Sequence, residues 1–449
     1  EKITSWTGRI ISLNTPDTMV FSKYIFPFLI VLAVYVLIFS ITSSRAASVL
    51  GAVYVLLGGE YMSGPGPILD LLQGNIRGGS YTIFSRPINP EVSTLMLFVA
   101  LTIFYRGWFK QEMVYWWHIL GLGVLIGGSL YVSPFVFTFL AGTCGIAAGL
   151  FLFQKKWYLL RQLIFAGGVA LLAIVPFIYN YILLQAHPDY AMLPVRLGLV
   201  SNHHFIFSFW LALLLGAAIF FWPSPYRQAR NFFLLCVASL WFFTIQNVLT
   251  GVYLQPSHYH WYITKPLIGI VVSLYAVWGI QYLFINKNIR YLLMGLALFP
   301  LLYTSPLLHI PFYRTHVDAS VLATQKYGPV VKQLNIMPPG QVVWADPGLS
   351  LYIPVYTAHS TPNNSYAVYY LNPESFFEDV LFFNYRLRGE NPVTILDTFK
   401  KERVAVSEYL FGLYYRESTG SSAAIPDEVL KELAEKYTAF YKLSYAEIF

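Results

Sequence analysis

Residues 159–184 read LLRQLIFAGGVALLAIVPFIYNYILL, with Arg161 as the one charged side chain in the run. A segment this long and apolar cannot leave its backbone groups to water. It satisfies them internally as a helix that crosses a bilayer, which takes about 20 apolar residues. Five more stretches of the same kind surround it: 21–43, 204–222, 231–249, 262–284 and 291–309. A shorter one occupies 91–106, and 46–59 is short for a full crossing. Residues 115–153 form one long apolar run interrupted at Ser133-Pro134, which reads as two helices or a kinked pair. The sum is about ten membrane segments. Composition agrees: the 449 residues are 56% hydrophobic and 11% charged, against about 25% charged in soluble domains.

The charges divide the chain in two. Residues 1–310 carry 17 Lys/Arg and 7 Asp/Glu, whereas residues 311–449 carry 12 and 15. Basic excess in so apolar a chain marks membrane loops, and no basic-aromatic stripe suited to nucleic acid is present. Arg45, then Arg106 with Lys110, then Lys155, Lys156 and Arg161, then Arg227 with Arg230, then Lys287 with Arg290 fall in alternate short connections. The positive-inside rule puts these on the cytoplasmic side and the other connections, with the tail from about 310, outside. The expected architecture is therefore mainly α. A polytopic transmembrane helix bundle fills residues 1–309, and a small soluble α/β domain fills 310–449. In that tail, 318–335 and 427–442 read as helices, while 341–346, 349–357 and 402–407 read as strands. Cys144 and Cys236 sit inside apolar stretches and read as small core residues.

Few side chains in the membrane part can carry chemistry. Glu60, Asp70 and Glu91 belong to or border one outer loop, 60–90. They are either solvated loop carboxylates or a general base or metal ligand at a membrane-surface cleft. Eight of nine histidines map to the outer side. The tightest group, Gln255-Pro256-Ser257-His258-Tyr259-His260-Trp261, puts two rings on one side if the loop is extended, as a phosphate or sugar site needs. The alternative is polar anchoring at the bilayer interface beside Tyr259 and Trp261. No third or fourth ligand stands at a spacing diagnostic of a metal. Arg86 and Asn89, in Arg86-Pro87-Ile88-Asn89-Pro90-Glu91, could clamp a phosphate at the bilayer surface or snorkel to lipid headgroups. His203 and His204, with Asn202 and Arg196, make a third group. Asn363-Asn364-Ser365 fits the glycosylation acceptor pattern, which arises by chance too often to decide anything.

On these motifs the chain resembles the polytopic C-type (GT-C) glycosyltransferases. Ser85–Glu91 looks like their loop-to-helix motif. Gln246-Asn247-Val248-Leu249-Thr250-Gly251, followed by Gln255–Trp261, looks like a second, and Tyr131-Val132-Ser133-Pro134 resembles their interrupted helix pair. The resemblance implies a plasma (inner) membrane enzyme moving a sugar from a polyprenyl-phosphate donor to a glycan or protein acceptor outside the cytoplasm. It implies Glu91, Asp70 and Glu60 as the catalytic acids to consider. Arg86, Asn89, Gln255, His258, His260, Trp261, His203 and His204 would contact substrate, and a divalent metal ion is the one cofactor left open. In that family an acid in the first outer loop is base or metal ligand. Asp17 is a poor substitute for it, so at least one further helix and an acidic loop are expected upstream of Glu1. Two other classes stay open: a non-catalytic scaffold subunit of a membrane complex, and a transporter, against which the near absence of charge inside the spans argues.

Overall fold

A computed structural model describes residues 15–58, 73, 91–110, 113–197, 199, 203, 205, 209–252, 254–284, 286–312, 323–364, 367, 371–411 and 425–443. The chain divides into two units. The first comprises Glu1–Tyr179, Ile206–Ile245 and Pro256–Thr315; the second comprises Asn180–Phe205, Gln246–Gln255 and His316–Phe449. The second unit thus takes in the connections 180–205 and 246–255, which the sequence reading places with the helix bundle.

The first unit is built from α1 (Thr15–Thr42), α2 (Arg45–Leu57), α3 (Glu91–Tyr105), α4 (Trp116–Ser129), α5 (Pro134–Phe153), α6 (Trp157–Gln185, as far as Tyr179), α7 (Phe209–Phe220), α8 (Arg227–Ile245), α9 (Lys265–Leu283) and α10 (Lys287–Phe312). Among the described residues, six helices are long and apolar enough to cross a membrane: Val20–Thr42, Glu91–Lys110, Pro134–Phe153, Trp157–Gln185, Ala229–Thr250 and Ser257–Leu283. Arg45–Leu57, Trp116–Ser129 and Trp210–Phe220 are apolar but shorter. At 1.5 Å per residue α2 reaches only ~20 Å, short of a ~30 Å hydrocarbon core, so the ten expected crossings are not matched by ten full-length helices. The apolar surface still needs a lipid neighbour. On α6, Ile164, Phe165, Leu171, Leu172 and Val175 are all exposed, a face too large and too continuous for water.

Small residues set the helix spacing. A Cβ on Gly51 of α2 would strike Ile38 of α1 and come within 2.7 Å of Ser273 Oγ on α9. On α4, Gly123 and Gly127, four residues apart, face Ala166 and Ala170 of α6, also four apart. A Cβ at these positions would lie 2.6 Å from Ala166 O and 2.7 Å from Ala170 O. This is the small-xxx-small approach of membrane helix pairs. The apolar run at 115–153 does divide into two helices, α4 and α5, with Ser133 as N-cap and Pro134 opening α5. Just before that break, Tyr131 reaches into α6 beside Pro176. Its hydroxyl donates to Ala173 O (3.0 Å) and accepts from Phe177 N (3.2 Å). The phenol is thus inserted between a carbonyl and the amide four residues on, where a proline disturbs the helix ladder.

The tail is helical, which corrects the α/β expectation. Its larger core joins α12 (Glu374–Leu387), α13 (Ile395–Lys401), α14 (Arg403–Phe411) and α15 (Asp427–Tyr441), following the short α11 (Gly328–Leu334). Phe377, Leu381, Tyr385, Phe399, Leu430 and Tyr437 are among its buried side chains. Among the described residues of the tail the β pairing is one parallel bridge, Val342 with Ser360. The expected strand 349–357 forms two helical turns, because Asp346 caps Gly348 N and Leu349 N and Pro347 occupies the first helical position. The expected strand 402–407 lies largely in α14. There Val406 and Leu410 are buried four apart, a helical period that the two-residue spacing of Val404 and Val406 concealed in so short a window. Residues 427–442 match α15. Asn363 is 1% exposed and its amide bonds Ala345 O and Asn384, so the fold does not present it as a glycan acceptor.

One ion pair in this unit has a pH consequence. Arg388 donates to both oxygens of Glu402 (2.9 and 2.6 Å), and the Tyr385 hydroxyl donates to Oε2 (2.9 Å). The Arg388 hydrogen bonds outweigh burial and, with Tyr385, hold the Glu402 carboxyl below its ordinary 4.5. A carboxylate with a depressed folded pKa stabilises above the unfolded value and loses that stabilisation as pH falls through the folded one. We therefore expect the thermal midpoint of the wild type to fall more steeply than that of Glu402→Gln on acidification below about 4.5. Parallel midpoint–pH profiles would show the pair to be inert.

Candidate functional site

The break at Ser133-Pro134 and the His258 motif, 125 residues apart in the chain, come together at one end of the first unit. The first turn of α5 supplies Phe135 and Thr138. Opposite them, Pro256–Tyr259 forms an α-turn that runs into a π-helix, His260–Thr264, and then into α9. The His258 ring lies flat on Phe135, with centroids 4.5 Å apart and planes 1° from parallel, and stands edge-on to Tyr262. Tyr259 is fully buried. Its hydroxyl shares a 2.6 Å hydrogen bond with Thr138 Oγ1, and its ring stacks on Phe243 of α8. The Thr264 hydroxyl donates to Tyr259 O (3.1 Å) across the wider π turn. π turns inside helices are frequent at functional sites.

This helical path corrects one expectation. In an extended loop, side chains two apart share a face; on a helix they diverge by about 200°. His258 therefore packs toward α5, while His260 stands beside Trp261 (6.1 Å, edge-on). The two imidazoles do not form a pair. In their place Lys265 emerges as a site residue that the sequence reading passed over. It is 3% exposed, and its ammonium sits over the Trp261 ring, 2.8 Å from the centroid. A cation at a helix N-terminus opposes the macrodipole, and the indole face offsets that cost. A lone lysine opening an apolar helix reads as a snorkelling anchor. The available signal was its position four residues after Trp261, which puts both on one helix face.

Glu91 opens α3, the helix packed against α4 and α5, and is 1% exposed. Met96, one turn further on, comes within 3.3 Å of the place where a side chain at Gly128 would begin. The start of α3 and the start of α5 are therefore at the same end of the bundle, with Glu91 where the helix dipole favours a carboxylate. Glu60, Asp70, Arg86, Asn89 and His204 lie outside the described residues. Gln255 and His203 belong to the second unit. There His203, at φ +59°, places Nδ1 3.0 Å from Val248 O, and its ring leans on Gly251, at φ +69°. Gln246 closes the same turn, donating to Val252 O and accepting from Thr250 Oγ1. The motif 246–251 is thus a self-bonded turn with a left-handed glycine at its end. Arg196 is not directed at any ligand; it is built into the core of the second unit.

Among the described residues no three His, Cys, Asp or Glu side chains gather as a metal ion would require. What the cluster offers is an aromatic-walled end of a helix bundle carrying a buried cation, a buried carboxylate and two separated imidazoles. Comparison with family models, with curated proteins and with solved structures finds no match for the chain.

Proposed function

We propose that the chain is an integral membrane glycosyltransferase of the C type, crossing the bilayer about ten times with its tail on the extracytoplasmic side. It would transfer a sugar from a polyprenyl-phosphate donor. The observation that carries this reading is the convergence of the Ser133-Pro134 break on the His258–Trp261 turn at the bundle end where α3 begins with Glu91. In the proposed reaction the bond from the sugar's anomeric carbon to phosphate oxygen breaks, and its electron pair leaves with the lipid phosphate. A new bond forms to the acceptor hydroxyl, whose proton passes to a carboxylate, for which Glu60, Asp70 and Glu91 are the candidates. Arg86, His258 and Lys265 would hold the anionic phosphate. The scaffold reading is favoured by one observation, the flat packing of His258 on Phe135, which is a structural use of that ring.

Binding separates the two. The full chain in lipid nanodiscs should retain undecaprenyl phosphate over phosphatidylglycerol. Loss of a charge-assisted phosphate contact costs about 1.5–3 kcal/mol, so Arg86→Ala and His258→Ala should each weaken retention roughly 10- to 150-fold. Equal retention by the wild type and both variants would remove the donor site from this end of the bundle and leave the scaffold reading in front.

A further inference from the structure

The second unit holds a cavity of about 660 Å³ between α12, α14 and the segment 344–363. We propose that it binds neutral carbohydrate, one or two sugar rings in size. The volume lies within the ~300–1,000 Å³ that encloses a small ligand. Three features of its walls narrow the chemistry. Trp344 and Tyr409, both half-buried, give aromatic faces of the kind that stack on the C–H faces of a sugar ring.

The second feature is a set of polar groups held in fixed orientations. Asn363 and Asn384 bond each other reciprocally (3.2 and 3.0 Å), and Asn363 also donates to Ala345 O at 2.8 Å. These bonds fix both amides and leave Asn384 a second N–H to offer. Asp346 accepts from Tyr327, Gly348 and Leu349 through Oδ1 alone, so Oδ2 can take a hydroxyl. The third feature is charge. Arg388 is matched by Glu402 in a bidentate pair, and Asp346 adds a negative charge, so the cavity has no excess of cation for a phosphate or carboxylate ligand. An acyl chain would dehydrate the amides and carboxylates without replacing their hydrogen bonds, a costly exchange. A neutral polyol satisfies the aromatic walls and the polar groups together. This inference does not depend on sugar transfer by the first unit.

The test uses the full chain in nanodiscs and saturation-transfer NMR with cellobiose, mannobiose and N,N′-diacetylchitobiose. At least one should show transfer. Ala405 is exposed on the cavity wall, so Ala405→Trp fills the space without removing a contact. That variant should abolish transfer while keeping the wild-type thermal midpoint. Asp346→Asn, which keeps an oxygen for the helix cap, should weaken binding about tenfold. Absence of transfer from all three disaccharides, transfer that survives both variants, or displacement of the sugar by inorganic phosphate would each overturn the proposal. A donor-retention result of either sign leaves it standing.

Discussion

Arg196→Ala is expected to destabilise the second unit by about 3–5 kcal/mol. Arg196 is 1% exposed, in a single helical turn Leu193–Arg196 that the sequence places between two membrane helices. Its Nε donates to Leu410 O (3.3 Å) at the end of α14, and Nη1 donates to Asn372 O (3.2 Å) just before α12. The guanidinium lies over the Phe377 ring, 3.9 Å from its centroid. Burial lowers its pKa, opposed by the charges of Glu374 and Asp189, and an arginine so placed stays ionised. Alanine would leave two carbonyls without these donors and empty the space over Phe377. For a unit of this size the thermal midpoint should fall by roughly 6–20 °C, and amide exchange in α14 should quicken. Arg196→Lys should recover only part of the loss, because a point charge cannot serve two carbonyls and a ring face at once. A midpoint within about a degree of wild type for the alanine variant would show that the turn docks without it.

Arg196 also shows where sequence reading stops. Its neighbours in the chain are loop residues and histidines, so it read as part of a candidate group with Asn202, His203 and His204. Its actual partners lie 176 and 214 positions away, and no local pattern announces them. What local pattern did announce came through: the 159–184 helix, the start of α5 at Ser133-Pro134, and α15 from its Pro426-Asp427 opening. These rest on apolar length and on cap chemistry, which are properties of neighbouring residues. The readings that failed were short windows where two periods compete. At 349–357, one aspartate capping two amides favoured helix over strand. At 256–264, continuation of α9 backwards through a π turn placed His258 and His260 on different faces. The cavity under Trp344 was invisible for the reason that hid Arg196: its walls come from segments that only the tertiary fold brings together.

The packing of α4 on α6 leads to the other large effect, and it links the membrane core to the candidate site. A leucine at Gly127 should cost about 3 kcal/mol, because even its Cβ would come within 2.6 Å of Ala173 Cβ and 2.7 Å of Ala170 O. Backbone cannot yield as a side-chain tip can, so the helices must separate. α6 supplies an internal control: a Cβ at Gly168 meets nothing within 4 Å, so Gly168→Leu should stay within about 0.5 kcal/mol of wild type. The pair is read by thermal unfolding of the full chain in one detergent, with equal expression and loading. Equal midpoints for the two leucine variants would mean that α4 and α6 do not meet through their small residues. The consequence reaches further than stability. Tyr131 ends the same helix pair by inserting its hydroxyl into α6, and two residues later Ser133-Pro134 starts α5, whose Phe135 carries His258. Separating α4 from α6 should therefore loosen Tyr131 and shift the platform under His258. Gly127→Leu should then weaken retention of undecaprenyl phosphate even though it contacts no ligand, whereas Gly168→Leu should leave retention unchanged.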